Sequence, residues 1–250
     1  MKPIALQMYT IREACERDLA GMLRKVADIG FKGVEFANLH GMAPADVRKM
    51  LDDLGLRCCS SHVPMPTKEN VNQLVDQENT LGNTRLVSGF GPDEFKTIEQ
   101  CERAAARVQE AASLLEGTGM TLGYHNHWWE FEPVEGKIPH DILMDEAPSV
   151  FAEIDVYWAA WGKSDPVRVV EQKKDRAPLL HIKDGTLKEA QPHTAVGAGA
   201  LDMRAIVAAA DPNVLEWLVV ELDSCATDMM QAVRDSYRYM TSEGLAQGNR

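Results

Sequence analysis

Short apolar runs alternate with longer amphipathic stretches along the whole chain. Runs rich in β-branched and aromatic residues predict strands, and stretches with apolar residues three or four positions apart predict helices. The predicted strands cover residues 4–9, 32–36, 56–62, 85–88, 120–125, 150–155, 178–180 and 215–221. The predicted helices cover residues 16–29, 44–54, 67–81, 93–116, 139–146, 165–175, 201–210 and 226–243.

Eight strand–helix pairs in succession predict an α/β fold, a (β/α)₈ TIM barrel formed as a single domain from residues 1–250. The spacing of roughly thirty residues per pair is typical of parallel strands joined by helical crossovers. A doubly wound open sheet is the alternative, and it usually carries a glycine-rich phosphate turn. The segment from Gly89 to Gly91 is too short for that fingerprint.

Composition narrows the classes of partner. The net charge of −12 argues against a nucleic-acid substrate and against an anionic membrane surface, since both need a basic footprint. No uninterrupted apolar run reaches the roughly 18 residues of a membrane span. The five cysteines contain no C-x-x-C pair, so reduced thiols and a cytoplasmic location are expected.

Four polar side chains follow the last four predicted strands. They are Glu130, Asp155, His181 and Glu221. In a parallel barrel the carboxyl ends of the strands surround one mouth, so these side chains are expected to converge. Carboxylate oxygens with one imidazole suit a single divalent ion such as Mn²⁺, Mg²⁺, Zn²⁺ or Co²⁺.

Several local motifs resemble one family. Residues 124–131 read YHNHWWEF, residues 154–166 read IDVYWAAWGKSDP, residues 181–184 read HIKD and residues 220–225 read VELDSC. Together with LQMYTIR at 6–12 and GAGALD at 197–202, their order resembles the sugar phosphate isomerase/epimerase family. That group consists of xylose isomerase-like barrels, and it includes tagatose 3-epimerase-type enzymes and inosose dehydratase.

The resemblance implies a divalent metal held by Glu, Asp, His and Glu from strands five to eight. On this chain the last three positions match Asp155, His181 and Glu221. The first Glu is assigned to Glu130, the first carboxylate after the fifth strand. This chain departs from the epimerase branch here, because that branch carries its Glu on the strand itself.

The expected chemistry is proton abstraction next to a sugar carbonyl, which creates an enediolate that a divalent cation stabilises. Epimerisation needs a base and an acid on opposite faces, and Glu130 and Glu221 are assigned to those roles. Lys183, two residues beyond His181, is expected to stabilise developing charge. The predicted function is therefore a carbohydrate isomerase or epimerase. A dehydratase or lyase acting on a keto-sugar or keto-inositol, and a non-catalytic sugar-binding barrel, remain alternatives.

The partner expected from these residues is a small carbohydrate or keto-sugar, and a homo-oligomer is compatible with the sequence. Imidazoles, a carboxylate and indoles near the predicted mouth offer hydrogen bonds to hydroxyls and an apolar wall for a sugar ring. The candidate substrate-binding residues are Glu35, His62, His125, His127, Trp128 and Trp158.

Overall fold

Eight parallel strands form a closed barrel in the computed structural model, which describes residues 1–249. Each strand pairs with the next along the chain, and the last barrel strand pairs with the first. That closing ladder pairs Leu6 with Val220. The predicted single-domain TIM barrel is confirmed as a fold, and the open-sheet alternative is wrong because no edge is left between the first and last barrel strands.

The strands are β1 (Lys2–Gln7), β2 (Gly33–Phe36), β3 (Arg57–His62), β4 (Arg85–Ser88), β5 (Thr121–His125), β6 (Phe151–Asp155), β7 (Leu179–Ile182), β8 (Asp184–Gly185), β9 (His193–Thr194), β10 (Trp217–Val220) and β11 (Ala246–Gln247). The barrel consists of β1 to β7 and β10. Strands β8 and β9 form a small antiparallel hairpin above it.

The helices are α1 (Arg12–Ile29), α2 (Pro44–Leu54), α3 (Val71–Leu81), α4 (Ile98–Ser113), α5 (Pro139–Glu146), α6 (Val156–Trp161), α7 (Pro166–Lys173), α8 (Met203–Ala209) and α9 (Met229–Ser242). Glycine ends the first three helices, at Gly30, Gly55 and Gly82. All three have positive φ, which a residue without Cβ adopts at little cost.

The structure differs from the sequence prediction at several places. Helix α6 begins directly after β6 and was not predicted, because its six residues are too few to show a helical period. The predicted helix over 93–116 is a short 3₁₀ turn at Pro92–Phe95 followed by α4. Strand β11 lies beyond the last predicted helix, and its Ala246 pairs with Lys2 of β1.

Alternation along the strands decides what fills the barrel. Successive side chains of a strand point to opposite faces, so residues two apart share the interior. The inner cluster of apolar side chains is Ala5, Cys59, Val87, Leu179, Trp217 and Val219, with Phe151 packed against it. Glycines make room for the two large rings, because a Cβ on Gly33 would lie 2.7 Å from Trp217 and one on Gly123 would lie 2.1 Å from Phe151.

The carboxyl-terminal half of the same interior is polar. Counting two residues on from Leu179 leads to His181 and, two further, to Lys183, and counting two on from Val219 leads to Glu221. These polar side chains are buried in a position that most barrels fill with branched apolar residues. Burying so many ionisable groups is costly unless they pair, which makes this end of the barrel the candidate site.

Candidate active site

Ligand-type atoms from four strands converge at the carboxyl end of the barrel. One nitrogen or oxygen from each of His125, Asp155, His181 and Glu221 lies within 4.8 Å of the others, and all four residues are buried. They end β5, lie in β6 and β7, and follow β10. The structure therefore brings together three residues of the predicted metal set, with His125 as the fourth member.

Glu130 belongs to neither group of metal-capable atoms in the described part of the chain. Its Oε1 accepts a hydrogen bond from the Tyr124 hydroxyl at 2.8 Å, and its Oε2 accepts one from the His127 backbone N–H at 2.8 Å. Burial raises the pKa of Glu130 to about 8. The carboxyl group thus fixes the backbone that follows β5, while His125 occupies the place nearest the other ligand atoms.

A second group of ligand-type atoms lies deeper in the barrel and shares two members with the first. It consists of His62, His125, Glu153 and His181. Glu153 was not predicted, although it stands two residues before Asp155 on β6 and must share its face. The Glu153 carboxylate is fully buried, and its Oε2 lies 2.7 Å from His62 Nε2 and 3.1 Å from His125 Nδ1.

Glu35 completes this deeper cluster from β2. Its Oε1 lies 2.6 Å from His181 Nε2 and 3.2 Å from His62 Nε2. Gln7 and Ser60 donate further hydrogen bonds to its carboxylate. Burial alone would raise the pKa of Glu35, but the two imidazoles outweigh it and hold that pKa well below its ordinary value. The predicted proximity of Glu35 and His62 to the mouth is therefore seen, with Glu35 below the mouth rather than in it.

His181 is contacted by carboxylates through both of its ring nitrogens. Nδ1 lies 3.0 Å from Glu221 Oε2, on the other side of the ring from Glu35. Burial would lower the pKa of His181, yet Glu153, Glu35 and Glu221 raise it well above its ordinary value. The imidazole ring is thus held in one orientation between Glu35 and Glu221.

Asp155 serves the local fold and the site at once. Its Oδ1 caps α6 by accepting hydrogen bonds from the backbone N–H groups of Tyr157 and Trp158, at 3.0 and 2.9 Å. Its Oδ2 is buried without a hydrogen bond. Burial raises the pKa of Asp155 to about 6, although the nearby Lys183 works in the opposite direction. The Oδ2 atom lies 3.0 Å from Lys183 Nζ, so Asp155 caps a helix with one oxygen and faces a cation with the other.

Lys183 places an ammonium group beside the first group of ligand-type atoms. That group, the upper ligand group, consists of His125, Asp155, His181 and Glu221. Its Nζ lies 2.7 Å from Asp223 Oδ2, 2.8 Å from Glu221 Oε2 and 3.0 Å from Asp155 Oδ2. Burial would lower the pKa of Lys183, but these three carboxylates raise it well above its ordinary value, so the group is a cation.

The family of the chain follows from comparison with known proteins. The family model described as xylose isomerase-like TIM barrel matches residues 23–242. This chain belongs to that family. None of the curated proteins is similar enough in sequence to count as a match.

Solved structures agree with the xylose isomerase-like assignment. A sugar phosphate isomerase/epimerase from Parabacteroides distasonis is 26% identical with a TM-score of 0.84, and the alignment covers 98% of this chain and 96% of that one. An L-ribulose 3-epimerase is 18% identical with a TM-score of 0.73, over 98% and 95% of the two chains. The IOLI protein with a bound zinc atom is 14% identical with a TM-score of 0.73, over 98% of each chain. The resemblance stated from the motifs is confirmed.

Aromatic rings lie beside the upper ligand group, and the ring centroid of His127 is 5.0 Å from that of His125. The ring of His127 stacks on Trp129 with centroids 4.3 Å apart, and Trp128 lies 4.8 Å from Trp158. Lys183 Nζ lies 5.1 Å from the Trp158 ring centroid. Residues 129–131 form a 3₁₀ turn, so the two adjacent indoles do not alternate as they would on an extended segment. Burial is the main cause that lowers the pKa of His127 to about 4, which keeps this imidazole neutral near pH 7.

Donor chemistry and charge both fit a divalent ion in this family member. The upper group offers two imidazole nitrogens and two carboxylates, a mixture that suits Mn²⁺, Zn²⁺ or Co²⁺ better than the all-oxygen preference of Mg²⁺. Five carboxylates also outnumber the three cationic groups here, which are the Lys183 ammonium and the imidazoles of His62 and His181, whose pKa values are raised by carboxylates against the lowering effect of burial. The nearby acids are Glu35, Glu153, Asp155, Glu221 and Asp223. A dication would offset that excess of negative charge.

Proposed function

We propose that this protein is a divalent-metal-dependent carbohydrate isomerase or epimerase that abstracts a proton next to a carbonyl group. The observation that carries the proposal is the convergence of four ligand-type residues on one point with Lys183 Nζ 2.8 Å from Glu221. A metal site beside a base and a fixed cation is the combination that enediolate chemistry requires.

The proposed ligands are His125, Asp155, His181 and Glu221, with His125 in the place that the sequence assigned to Glu130. The grouping of their atoms supports this set, and the two engaged oxygens of Glu130 support its exclusion. A bound divalent ion would supply Lewis-acid stabilisation of the negative charge on the substrate oxygens. The remaining chemistry falls to side chains of this chain.

Glu221 is the proposed base. Its Oε2 is shared by His181 and Lys183, which hold its pKa well below the ordinary value despite burial. A carboxylate that remains ionised can accept the proton at neutral pH, and its second oxygen is the one to reach the substrate carbon. Lys183 then donates a hydrogen bond to the oxygen on which negative charge develops.

A second candidate reaction, elimination, is supported by the position of Lys183 beside Glu221. Base and proton donor lie on the same side of the site, whereas a two-base epimerase needs groups on opposite faces. In elimination, Glu221 removes the proton next to the carbonyl, and the C–H electron pair forms the new C=C bond. The C–O bond to the β-substituent breaks, and Lys183 protonates the departing oxygen, which leaves as water or an alcohol. For epimerisation, Glu130 would have to act as the second acid–base group. It would then lose its hydrogen bonds with the Tyr124 hydroxyl and the His127 N–H and contact the substrate instead.

Deuterium incorporation tests the function. The purified protein with Mn²⁺ is incubated in D₂O with ketoses, 3-keto-hexoses and 3-keto-glycosides, and the products are analysed by NMR and mass spectrometry. Exchange at the carbon next to the carbonyl with an inverted or isomerised product supports isomerase or epimerase activity. Exchange with loss of a substituent supports elimination instead. Binding of a sugar without any exchange overturns both and supports a non-catalytic carbohydrate-binding barrel.

A further inference from the structure

The loop between β9 and α8 is the place where many barrels bind phosphate, because the loops after the seventh and eighth barrel strands expose backbone N–H groups. Here those groups face inward. Asp184 accepts hydrogen bonds from the N–H groups of Gly197, Gly199 and Leu201, at 2.9, 3.1 and 3.3 Å. A Cβ on Gly199 would lie 2.0 Å from the Asp184 carboxylate, so the loop is closed tightly onto it. A buried side-chain carboxylate thus takes the donors that a phosphate would use.

The helices that follow these two barrel strands are capped by aspartates as well. Asp202 accepts a hydrogen bond from Ala205 N–H at the start of α8, at 3.1 Å. Asp228 accepts one from Gln231 N–H at the start of α9, at 2.8 Å. Each carboxylate places a negative charge where the helix dipole would otherwise attract an anion.

Two cations on this side of the mouth, Lys183 and Arg12, are engaged by groups of the chain. Lys183 meets three carboxylates, and the Arg12 guanidinium donates to the carbonyl oxygens of Tyr9 and Asp223, each at 3.1 Å. The adjoining cavity of about 450 Å³ brings acidic and basic side chains together. Its charged lining residues are Arg12, Glu13, Arg17, Asp223 and Asp228. Acids exceed bases in that cavity, so it disfavours a phosphate dianion.

The opposite side of the mouth offers an uncharged surface. A cleft lies between the loops after β2 and β3, and its volume of about 430 Å³ is within the range of small-molecule sites. The cleft reaches His62, a member of the deeper group of ligand-type atoms. Apart from His62, whose ring faces Glu35 and Glu153, none of its lining side chains carries a formal charge. Its amide groups come from Gln73 and from Asn38, Asn70 and Gln77, and each of the last three also hydrogen-bonds to another group of the chain. Neutral amides beside apolar side chains suit hydroxyl groups on a carbon skeleton.

We infer that the substrate is an uncharged carbohydrate whose remote hydroxyl groups lie in the cleft beside His62, and that sugar phosphates are discriminated against. The inference rests on the proposed function for the reacting end of the substrate. The cleft joins that end through His62, which lies 4.9 Å, between ring centroids, from the proposed ligand His125.

Matched pairs of sugars test the charge preference. Calorimetry on the Mn²⁺-loaded protein measures binding of each ketose, 3-keto-hexose and 3-keto-glycoside and of its 6-phosphate, and deuterium exchange is measured separately. The neutral member should bind at least about tenfold more tightly, because a dianion would lose water in a cleft whose one ionisable lining group, His62, already faces Glu35 and Glu153. A phosphate that binds more tightly than its neutral partner and still exchanges overturns the inference but not the proposed function. Preference for the neutral member without exchange overturns only the proposed function, and failure of every pair to bind overturns both.

A charge introduced into the cleft tests its role. Gln73 lines the cleft, whereas Asn72 is its exposed neighbour on α3 outside the lining. Gln73→Arg should narrow the preference for the neutral sugar by about threefold or more, the scale of one partly exposed ion pair, and Asn72→Arg should leave it unchanged. Equal effects of the two substitutions, or none, overturn the placement of the remote hydroxyl groups.

Discussion

Glu35 Oε1 lies 2.6 Å from His181 Nε2, at the opposite edge of the imidazole from Nδ1, which lies beside Glu221. Histidines that bind metals commonly pass their second N–H to a carboxylate, which fixes the tautomer and the ring orientation. Nδ1 lies 3.0 Å from Glu221 Oε2, and binding of the proposed ion there would release the Nδ1 proton while Nε2–H stays with Glu35. We therefore assign Glu35 a positioning role in place of direct substrate contact.

Replacing Glu35 tests that role. Glu35→Gln should weaken metal binding by about 10- to 100-fold, the range found for such outer partners, because an amide holds the imidazole less firmly than a carboxylate. Affinity is measured by competition with a chelator. Glu78→Gln is the matched control, since Glu78 is another fully buried glutamate hydrogen-bonded to a serine, Ser61, outside the site. Equal metal affinity in the two variants would remove Glu35 from the site.

The identity of the fourth ligand separates His125 from Glu130. Metal content after gel filtration should fall strongly in His125→Ala and in Asp155→Ala, and it should stay near one ion per chain in Glu130→Gln. The reason is that both Glu130 oxygens already serve Tyr124 and His127, while His125 has a nitrogen within the ligand group. Loss of metal in Glu130→Gln with full retention in His125→Ala would restore the assignment made from the sequence.

Lys183 should matter more for turnover than for metal binding. Lys183→Met removes the cation next to Asp155 and Glu221, so metal affinity should not fall, but deuterium exchange should slow by roughly 10²-fold, the scale of one electrostatic donor. Lys173→Met is the control, because Lys173 pairs with Asp141 on the outside of the barrel. Normal exchange in Lys183→Met would show that the lysine has no part in the reaction.

The pH dependence of stability should report on Glu130. Its folded pKa of about 8 exceeds the ordinary 4.5, so the folded chain binds more protons than the unfolded chain between these values. The contribution of Glu130 to stability is therefore present below about pH 4.5 and is lost as the pH rises toward 8, by about 3–5 kcal/mol. In Glu130→Gln the amide oxygen can still accept a hydrogen bond from the His127 N–H, and the amide NH₂ can donate one to the Tyr124 oxygen. The amide does not ionise at any of these pH values.

Urea denaturation at several pH values checks this expectation. The free energy of unfolding of Glu130→Gln relative to the unsubstituted protein should increase between pH 5 and pH 8.5. Glu132→Gln, two positions further along and exposed, is the control and should show no such trend. A constant difference across the range would mean that Glu130 is ionised in the folded protein throughout.

The barrel could be predicted from the sequence because the spacing of apolar residues distinguishes each strand from the helix that follows it. Helices α2 and α5 have the bounds that this spacing predicts. Site residues could be predicted where a polar residue stood at or near the carboxyl end of a predicted strand, as with Asp155 and His181. Glu153 could have been found by counting back two residues from Asp155. The hydrogen bond between Tyr124 and Glu130 could not have been predicted, because it depends on the path of the backbone after β5.

Closure of the barrel between β1 and β10 also sets the order in which the protein matures. Val220 pairs with Leu6, and Glu221 comes directly after it, so one proposed ligand is placed only when the last barrel strand joins the first. A nascent chain that has emerged as far as β7 carries His125, Asp155 and His181 but lacks the final carboxylate. The proposed ion would therefore meet its full set of donors only after β10 has paired with β1, and an ion bound earlier by the growing chain would meet an incomplete and weaker set.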